Sequence, residues 1–139
     1  MNRILLAAFA ALFAGCIVYD SDVRDPPPPN QPPYIAWAEA GCYWDGYGGD
    51  YVWYFEADVD DPNGAGDVIA VYADVYDDWS GEWIDGFELY WYDGITWFSD
   101  WWESSTWLDC YYAYNVVEFT AYDYFEAVDV VDVYPYVYE

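Results

Sequence analysis

The sequence contains no lysine and no histidine, and its only basic residues are Arg3 and Arg24. Against these two stand 27 Asp and Glu residues, which give a formal net charge of −25. Because proteins contact phosphates mainly through Lys and Arg, this composition excludes nucleic acid as a partner. A chain without Lys or His also lacks the base of a Ser-His-Asp or Ser-Lys system and the amine that forms a Schiff base.

Other signatures of catalysis are missing as well. The chain has no glycine-rich phosphate loop, no dinucleotide fingerprint and no set of His and Cys residues that would hold zinc. A pair of carboxylates, as in glycosidases, is the one catalytic arrangement left, and the sequence marks out no such pair. We therefore expect a protein that is not an enzyme and that needs no cofactor, with calcium as the one ion to consider.

Long apolar runs are also absent. Ile4 to Phe13 is an apolar run of ten residues, which is too short to span a bilayer but is typical of a signal-peptide core. It leads into Ala14-Gly15-Cys16, which resembles the bacterial lipobox, with Phe13 where that motif usually has Leu. The resemblance implies that residues 1–15 are a signal peptide and that Cys16 is lipidated, for example with palmitate, as a membrane anchor. An ordinary secretory signal with an incidental cysteine and an uncleaved single span are the alternatives.

The residues after the cysteine predict where the protein resides. In the lipoproteins that the chain resembles, a residue other than Asp after the cysteine goes with outer-membrane sorting, and Ile17 fits that pattern. The resemblance implies the cell envelope of a Gram-negative-type bacterium, with the domain either periplasmic or surface-exposed. Residues 16–33 end in a proline-rich run that favours extended backbone, so we expect a tether reaching up to about 50 Å from the bilayer. A ligand for a proline-binding domain is the alternative.

Three cysteines in an exported chain leave one without a partner. Lipidation of Cys16 removes the odd one, and we predict that Cys42 and Cys110 form a disulfide. Two unpaired thiols, or a pair of thiols that binds a metal, are the alternatives.

Residues 34–139 predict one all-β domain, because β-branched and aromatic residues dominate and no window keeps a helical period. In the second strand, for example, Trp53, Phe55 and Ala57 alternate with Tyr54 and Glu56, as in a half-buried antiparallel strand. In the third, we expect Ile69 to face inward with Val71. The predicted strands are 34–43, 50–59, 67–76, 84–92, 95–99, 109–122 and 127–136, with a bulge near Asn115 in the sixth.

About seven strands without helices between them indicate an antiparallel two-sheet sandwich. The segment from Tyr114 to Asp123, followed by a turn and a valine-rich last strand, resembles the closing hairpin of immunoglobulin-like and fibronectin-like bacterial surface domains. The resemblance implies an immunoglobulin-like fold and a cell-envelope setting but no particular activity.

Two groups of residues are candidate sites. Carboxylate and amide oxygens crowd one loop and suit Ca²⁺, although a plain solvated turn explains the same composition. Residues 34–139 contain 10 Trp, 17 Tyr and 5 Phe, more rings than a small core can hold beside its aliphatic residues, so some rings should face a glycan or a basic protein, unless the core is unusually aromatic. The calcium candidates are Asp58, Asp60, Asp61, Asn63 and Asp67, and the aromatic candidates are Trp97, Trp101, Trp102 and Trp107.

The resulting expectation is a membrane-anchored exported lipoprotein with a noncatalytic structural or binding role. Its partners would be the membrane, through the acyl anchor, and a glycan or a protein. The alternative is a calcium-stabilised or salt-adapted acidic domain without a specific ligand, because an acidic surface without Lys also serves solubility in a salty medium.

Overall fold

A computed structural model describes residues 27–137, which form eight β-strands and no α-helix. Two single-turn 3₁₀ helices lie at Ala65–Asp67 and Glu103–Ser105. The strands are β1 (Tyr34–Asp45), β2 (Asp50–Asp60), β3 (Val68–Asp77), β4 (Trp83–Asp93), β5 (Thr96–Trp102), β6 (Asn115–Asp123), β7 (Val128–Val133) and β8 (Tyr136–Val137). The predicted all-β class is confirmed, and most of the predicted strand ranges agree to within a few residues.

The strands follow the order β7-β6-β3-β4-β5-β2-β1-β8. All neighbours from β7 to β1 are antiparallel, and this seven-stranded sheet curls into a half-barrel. β4 makes the order continuous, because its first part pairs with β3 and its last part with β5. The curl brings the two ends of the sheet together, so that the Ile35 amide of β1 donates to Asp129 of β7 over 2.9 Å.

The core lies inside the curl, where strands of both halves direct every second side chain inward. At its centre the rings of Phe55 on β2 and Phe87 on β4 are stacked with centroids 4.6 Å apart. The predicted alternation of β2 is confirmed, with Trp53, Phe55, Ala57 and Val59 buried. The other buried apolar residues are Ile35, Ala40, Cys42, Val52, Val68, Val71, Ala73, Val75, Leu89, Leu108, Cys110, Val117, Phe119 and Ala121.

Two predictions about the strands are wrong. Residues 109–114 form turns, and β6 begins only at Asn115, so the change of phase in this segment needs no bulge there. The pairing of β3 with β6 shifts instead at the start of β3, between Val68 and Ala70. This irregularity turns Val68 inward and leaves Ile69 half exposed, against the prediction that Ile69 faces the core.

Cys42 of β1 and Cys110 are joined by a disulfide, as predicted from the cysteine count, with Cα atoms 5.8 Å apart. Both residues are fully buried. The bond fixes the segment between β5 and β6 to the first strand. The Glu103 carboxylate stabilises the same segment by accepting from the Cys110 amide over 2.8 Å.

The turns divide between two ends of the sheet. The tether end carries the connections 61–67, 94–95 and 124–127, and the far end carries 46–49, 78–82 and 103–114. Pro33, just before β1, is fully buried at the tether end. There the Gln31 amide donates to Asn63 Oδ1 over 2.8 Å. The last residues of the predicted tether therefore pack on the domain. Within residues 27–137, no helix is long and apolar enough to cross a membrane.

Candidate functional site: a groove along β5

Aromatic rings and carboxylates share the outer face of β1, β2, β5 and β4. Directly paired residues of neighbouring strands point to the same face, so the pairing defines rows that cross the strands. One row joins Glu39, Glu56 and Phe98 and continues to Tyr90 on β4. The rows on either side contain the pairs Asp58 with Thr96 and Tyr54 with Asp100.

Three linked depressions run along this face beside β5, and we call them the β5 groove. Their volumes are about 270, 250 and 120 Å³. The first and second share Tyr92 and Phe98, and the second and third share Asp100 and Trp101. The remaining lining residues are Glu56 and Thr96 in the first, Tyr90, Trp91 and Ser99 in the second, and Tyr43, Asp45, Val52 and Trp102 in the third.

The groove forms where the pairing between β4 and β5 ends. Tyr90 of β4 still pairs with Phe98 of β5, whereas Leu89, the residue before Tyr90, pairs with β3. Beyond that point, β5 lacks a paired neighbour on its β4 side, and side chains fill the opening. The Trp101 ring packs towards Phe87 with centroids 5.8 Å apart, and its Nε1 donates to Ser99 Oγ over 2.9 Å.

Two glycines make room for rings next to the groove. The Trp102 ring occupies the space that a Cβ at Gly48 would need. The Tyr54 ring covers Gly41, where an added Cβ would lie 2.6 Å from the Tyr54 hydroxyl oxygen. Any larger residue at either position would displace a ring of this face.

The electrostatics of the groove are set by acids alone, since residues 27–137 contain no basic side chain. Partial burial raises the pKa of Glu56, and the neighbouring carboxylates of Asp58 and Glu39 raise it further. Hydroxyl donors stabilise those two neighbours: Thr96 donates to Asp58 and Tyr54 donates to Glu39, each over 2.6 Å. The side chains around Glu56 therefore leave its negative charge uncompensated.

The structure separates the four predicted tryptophans. Trp101 and Trp102 are 38% and 41% exposed and both line the third depression, although their pairing with Trp53 and Val52 points the two side chains to opposite faces of β5. Trp97 instead packs against the core from the inner face. Trp107 is 83% exposed in the 103–114 segment and lines none of the three depressions.

The predicted calcium ligands mostly stabilise a turn. Asp61 Oδ1 accepts from the Asn63 amide, and Asp60 Oδ1 accepts from the Asp61 amide. Asn63 in turn binds the tether and Asp58 binds Thr96. In the described part of the chain, no group of three or more acidic, His or Cys residues is arranged to hold a metal ion. Calcium binding by Asp58, Asp60, Asp61, Asn63 and Asp67 stays a prediction.

Sequence reasoning did not single out most of the groove. Tyr90, Tyr92, Phe98 and Asp100 lie at alternate positions on the two strands that flank Gly94, and this alternation was the available signal. The contributions of Tyr43 and Glu56 come from β1 and β2 through strand pairing, which the sequence does not specify. Cys16 lies outside the described residues.

Comparison with known proteins gives no match: no protein-family model, curated protein or solved structure is similar enough to the chain to be recognised. The fold and the groove define a class on their own terms, an acidic all-β domain with an open aromatic groove on one face.

Proposed function

We propose that the protein is an exported lipoprotein whose domain is a noncatalytic binding module, with the β5 groove as its binding site. The observation that carries the proposal is the run of linked depressions lined by exposed rings and carboxylates. Tyr90 and Tyr92, which lie two residues apart on β4, are 61% and 73% exposed. Contiguous exposed rings with a polar surround are typical of interaction surfaces, because an isolated domain gains nothing by leaving them in water.

The anchor and the compartment belong to the same proposal. Acyl chains on Cys16 would hold the protein in the outer membrane, and the proline-rich segment would carry the domain into the periplasm or onto the surface. The disulfide between Cys42 and Cys110 supports export, since disulfides persist in oxidising compartments and are rare in the cytosol.

The immunoglobulin-like classification is also proposed. The strands β1 to β7 can be lettered A, B, C, C′, E, F and G in chain order. The neighbouring strands β1-β2-β5 then correspond to A-B-E, and the neighbouring strands β7-β6-β3-β4 correspond to G-F-C-C′. Immunoglobulin-like domains divide these strands between their two sheets in the same way, apart from strand D. An experimental structure with the inner faces of the two groups about 10 Å apart would support this classification, and a closed barrel would contradict it.

Binding to the groove can be tested with two probes, cellohexaose and a lysine-containing hexapeptide. We expect at least one to bind, and Trp102→Ala combined with Tyr92→Ala to weaken that binding about tenfold, as for loss of ring contacts at an interface. Trp79→Ala is the control, because Trp79 is 94% exposed at the far end and lines none of the groove's depressions. An equal loss of affinity in Trp79→Ala and in the double variant would contradict the proposed site, and so would a failure of both probes to bind.

The anchor can be tested by palmitate labelling of the full chain in a bacterial host. We expect label on the wild type and none on Cys16→Ser, together with release of that variant from the membrane fraction. Mass spectrometry that finds an unmodified Cys16 with the leader still attached would contradict the lipoprotein assignment.

A salt-adapted or calcium-stabilised acidic domain is the second candidate, favoured by the lack of any basic side chain from residue 27 to residue 137. Salt screens repulsion between exposed charges, so Tm should rise steeply with NaCl if the acidity serves salt adaptation. A rise with millimolar CaCl₂ that MgCl₂ at equal ionic strength does not reproduce would favour calcium instead.

A further inference from the structure

We infer that the β5 groove binds a basic polypeptide segment in extended conformation, lying along β5 with alternate Lys or Arg side chains in the depressions. The inference rests on the proposed function, because it names the ligand of the same groove. Three features of the groove support it.

Charge is the first feature. The groove places Glu56, Asp100 and Asp45 among rings, and no cation of the domain neutralises them. A cationic side chain would gain carboxylate contacts and cation–π contacts in the same place. A second copy of this chain is disfavoured, because it would bring the same uncompensated acids against these.

Spacing is the second feature. The carboxylates of Asp58, Glu56 and Asp100 lie in three consecutive rows, at the levels of Thr96, Phe98 and Asp100 on β5. Successive rows are two residues apart along the strand, or about 6.6–6.8 Å. Side chains on one side of an extended peptide repeat at the same interval, so a basic residue at every second position would meet each row in turn.

Size is the third feature. Small-molecule pockets are usually about 300–1,000 Å³. The depressions here have volumes of about 270, 250 and 120 Å³, each below that range. A series of small linked depressions suits successive side chains of one chain better than a single compact ligand.

The experiment compares two peptides of equal charge and composition on the full chain in detergent micelles. One is acetyl-Lys-Ser-Lys-Ser-Lys-Ser-amide, with basic residues at every second position, and the other is acetyl-Lys-Lys-Lys-Ser-Ser-Ser-amide. Calorimetry at low salt should give a dissociation constant several-fold lower for the alternating peptide. Equal affinity for the two would overturn the extended alignment.

Paired substitutions then locate the contact. Glu56→Gln with Asp100→Asn should weaken the alternating peptide about tenfold, as expected for loss of charge-assisted hydrogen bonds. Glu118→Gln with Asp132→Asn removes the same charge from a directly paired site on β6 and β7, and should change affinity less than twofold. Equal weakening by both pairs would mean diffuse attraction to the acidic surface and would overturn the inference.

A glycan outcome separates this inference from the proposed function. If cellohexaose binds and Trp102→Ala with Tyr92→Ala abolishes that binding, while neither peptide binds, the groove is a binding site but the ligand class is wrong. If neither peptide nor cellohexaose binds, both the inference and the proposed function fail. Circular dichroism and a cooperative melting transition establish that each variant is folded.

Discussion

Asn30 donates a hydrogen bond of 2.6 Å from Nδ2 to Oδ2 of Asp123, a fully buried residue 93 positions later in the chain. The other carboxylate oxygen accepts from the amides of Phe125 and Ala127, both over 2.8 Å. Burial by itself would raise the pKa of Asp123, but these three donors outweigh it and hold the pKa below its ordinary value. The end of the tether is thereby fixed to the turn between β6 and β7.

Asn30→Ala should lower Tm by roughly 5 °C at pH 7, because it leaves a buried carboxylate oxygen without its donor. A lowered carboxyl pKa stabilises the fold above the ordinary pKa and loses that effect as pH falls, so the difference from wild type should shrink in acid. Gln31→Ala is the control, since only the Gln31 backbone makes the contact to Asn63. A difference that grows with acidification would contradict this account.

Tyr112→Phe should raise the pKa of Asp77, which the Tyr112 hydroxyl and then the Ser80 amide lower from 3.8 to about 2. The stabilisation is present above the ordinary pKa and disappears as pH falls towards 2, so the variant should unfold at a higher pH on acidification. Carbon NMR of the Asp77 carboxyl measures the shift directly. Tyr114→Phe is the control, because that ring contacts Tyr112 without bonding Asp77. An unchanged Asp77 pKa in Tyr112→Phe would refute the assignment.

Cys42→Ala combined with Cys110→Ala should lower the free energy of unfolding by about 4 kcal/mol in the chain-entropy model. The cysteines are 68 positions apart, so the bond strongly restricts the unfolded chain. Denaturant titration of the variant and of wild type provides the comparison. Cys16→Ser should leave the unfolding free energy unchanged, since Cys16 is not part of the pair. A double variant as stable as wild type would show that the bond contributes nothing.

Glu56→Gln should raise Tm at neutral pH while weakening ligand binding. Because the pKa of the Glu56 carboxyl is raised in the folded protein, its ionisation lowers the stability of the fold. The stability is therefore greatest below the ordinary pKa and falls as pH rises through the folded-state pKa. Removing the charge should therefore stabilise the folded protein at pH 7 and leave its stability unchanged at pH 4. Since solvent screens this partly exposed group, we expect only about 1–3 °C. Glu82 is an exposed residue of the 78–82 connection, so Glu82→Gln should change Tm by less. A loss of stability at pH 7 would contradict the prediction.

The sequence predicted the strands well where alternation reports burial directly. On β2, Trp53 and Phe55 face the core and Tyr54 and Glu56 do not, because a two-residue period allows no other arrangement. It failed where a residue's neighbours are set elsewhere in the chain. Ile69 is as apolar as Val71, but the irregular pairing of β3 with β6 turns it outward.

The candidate site was predicted only in part for the same reason. Trp101 and Trp102 were identified by their size and crowding, and both line the groove. The same features predict Trp97 and Trp107, but these two lie apart, one against the core and one in the 103–114 segment. Spacing along the chain cannot show which rings share a depression when four strands contribute to it.

The sequence by itself determined the strand-forming segments, the candidate disulfide pair and a domain without any basic side chain, since these follow from composition, cysteine number and local periodicity. The tertiary structure alone decided that β4 parts from β5, that Glu56 lies beside Phe98, and that Asn30 meets Asp123. These are pairings between distant segments, selected by how the whole core packs, and no local pattern encodes them.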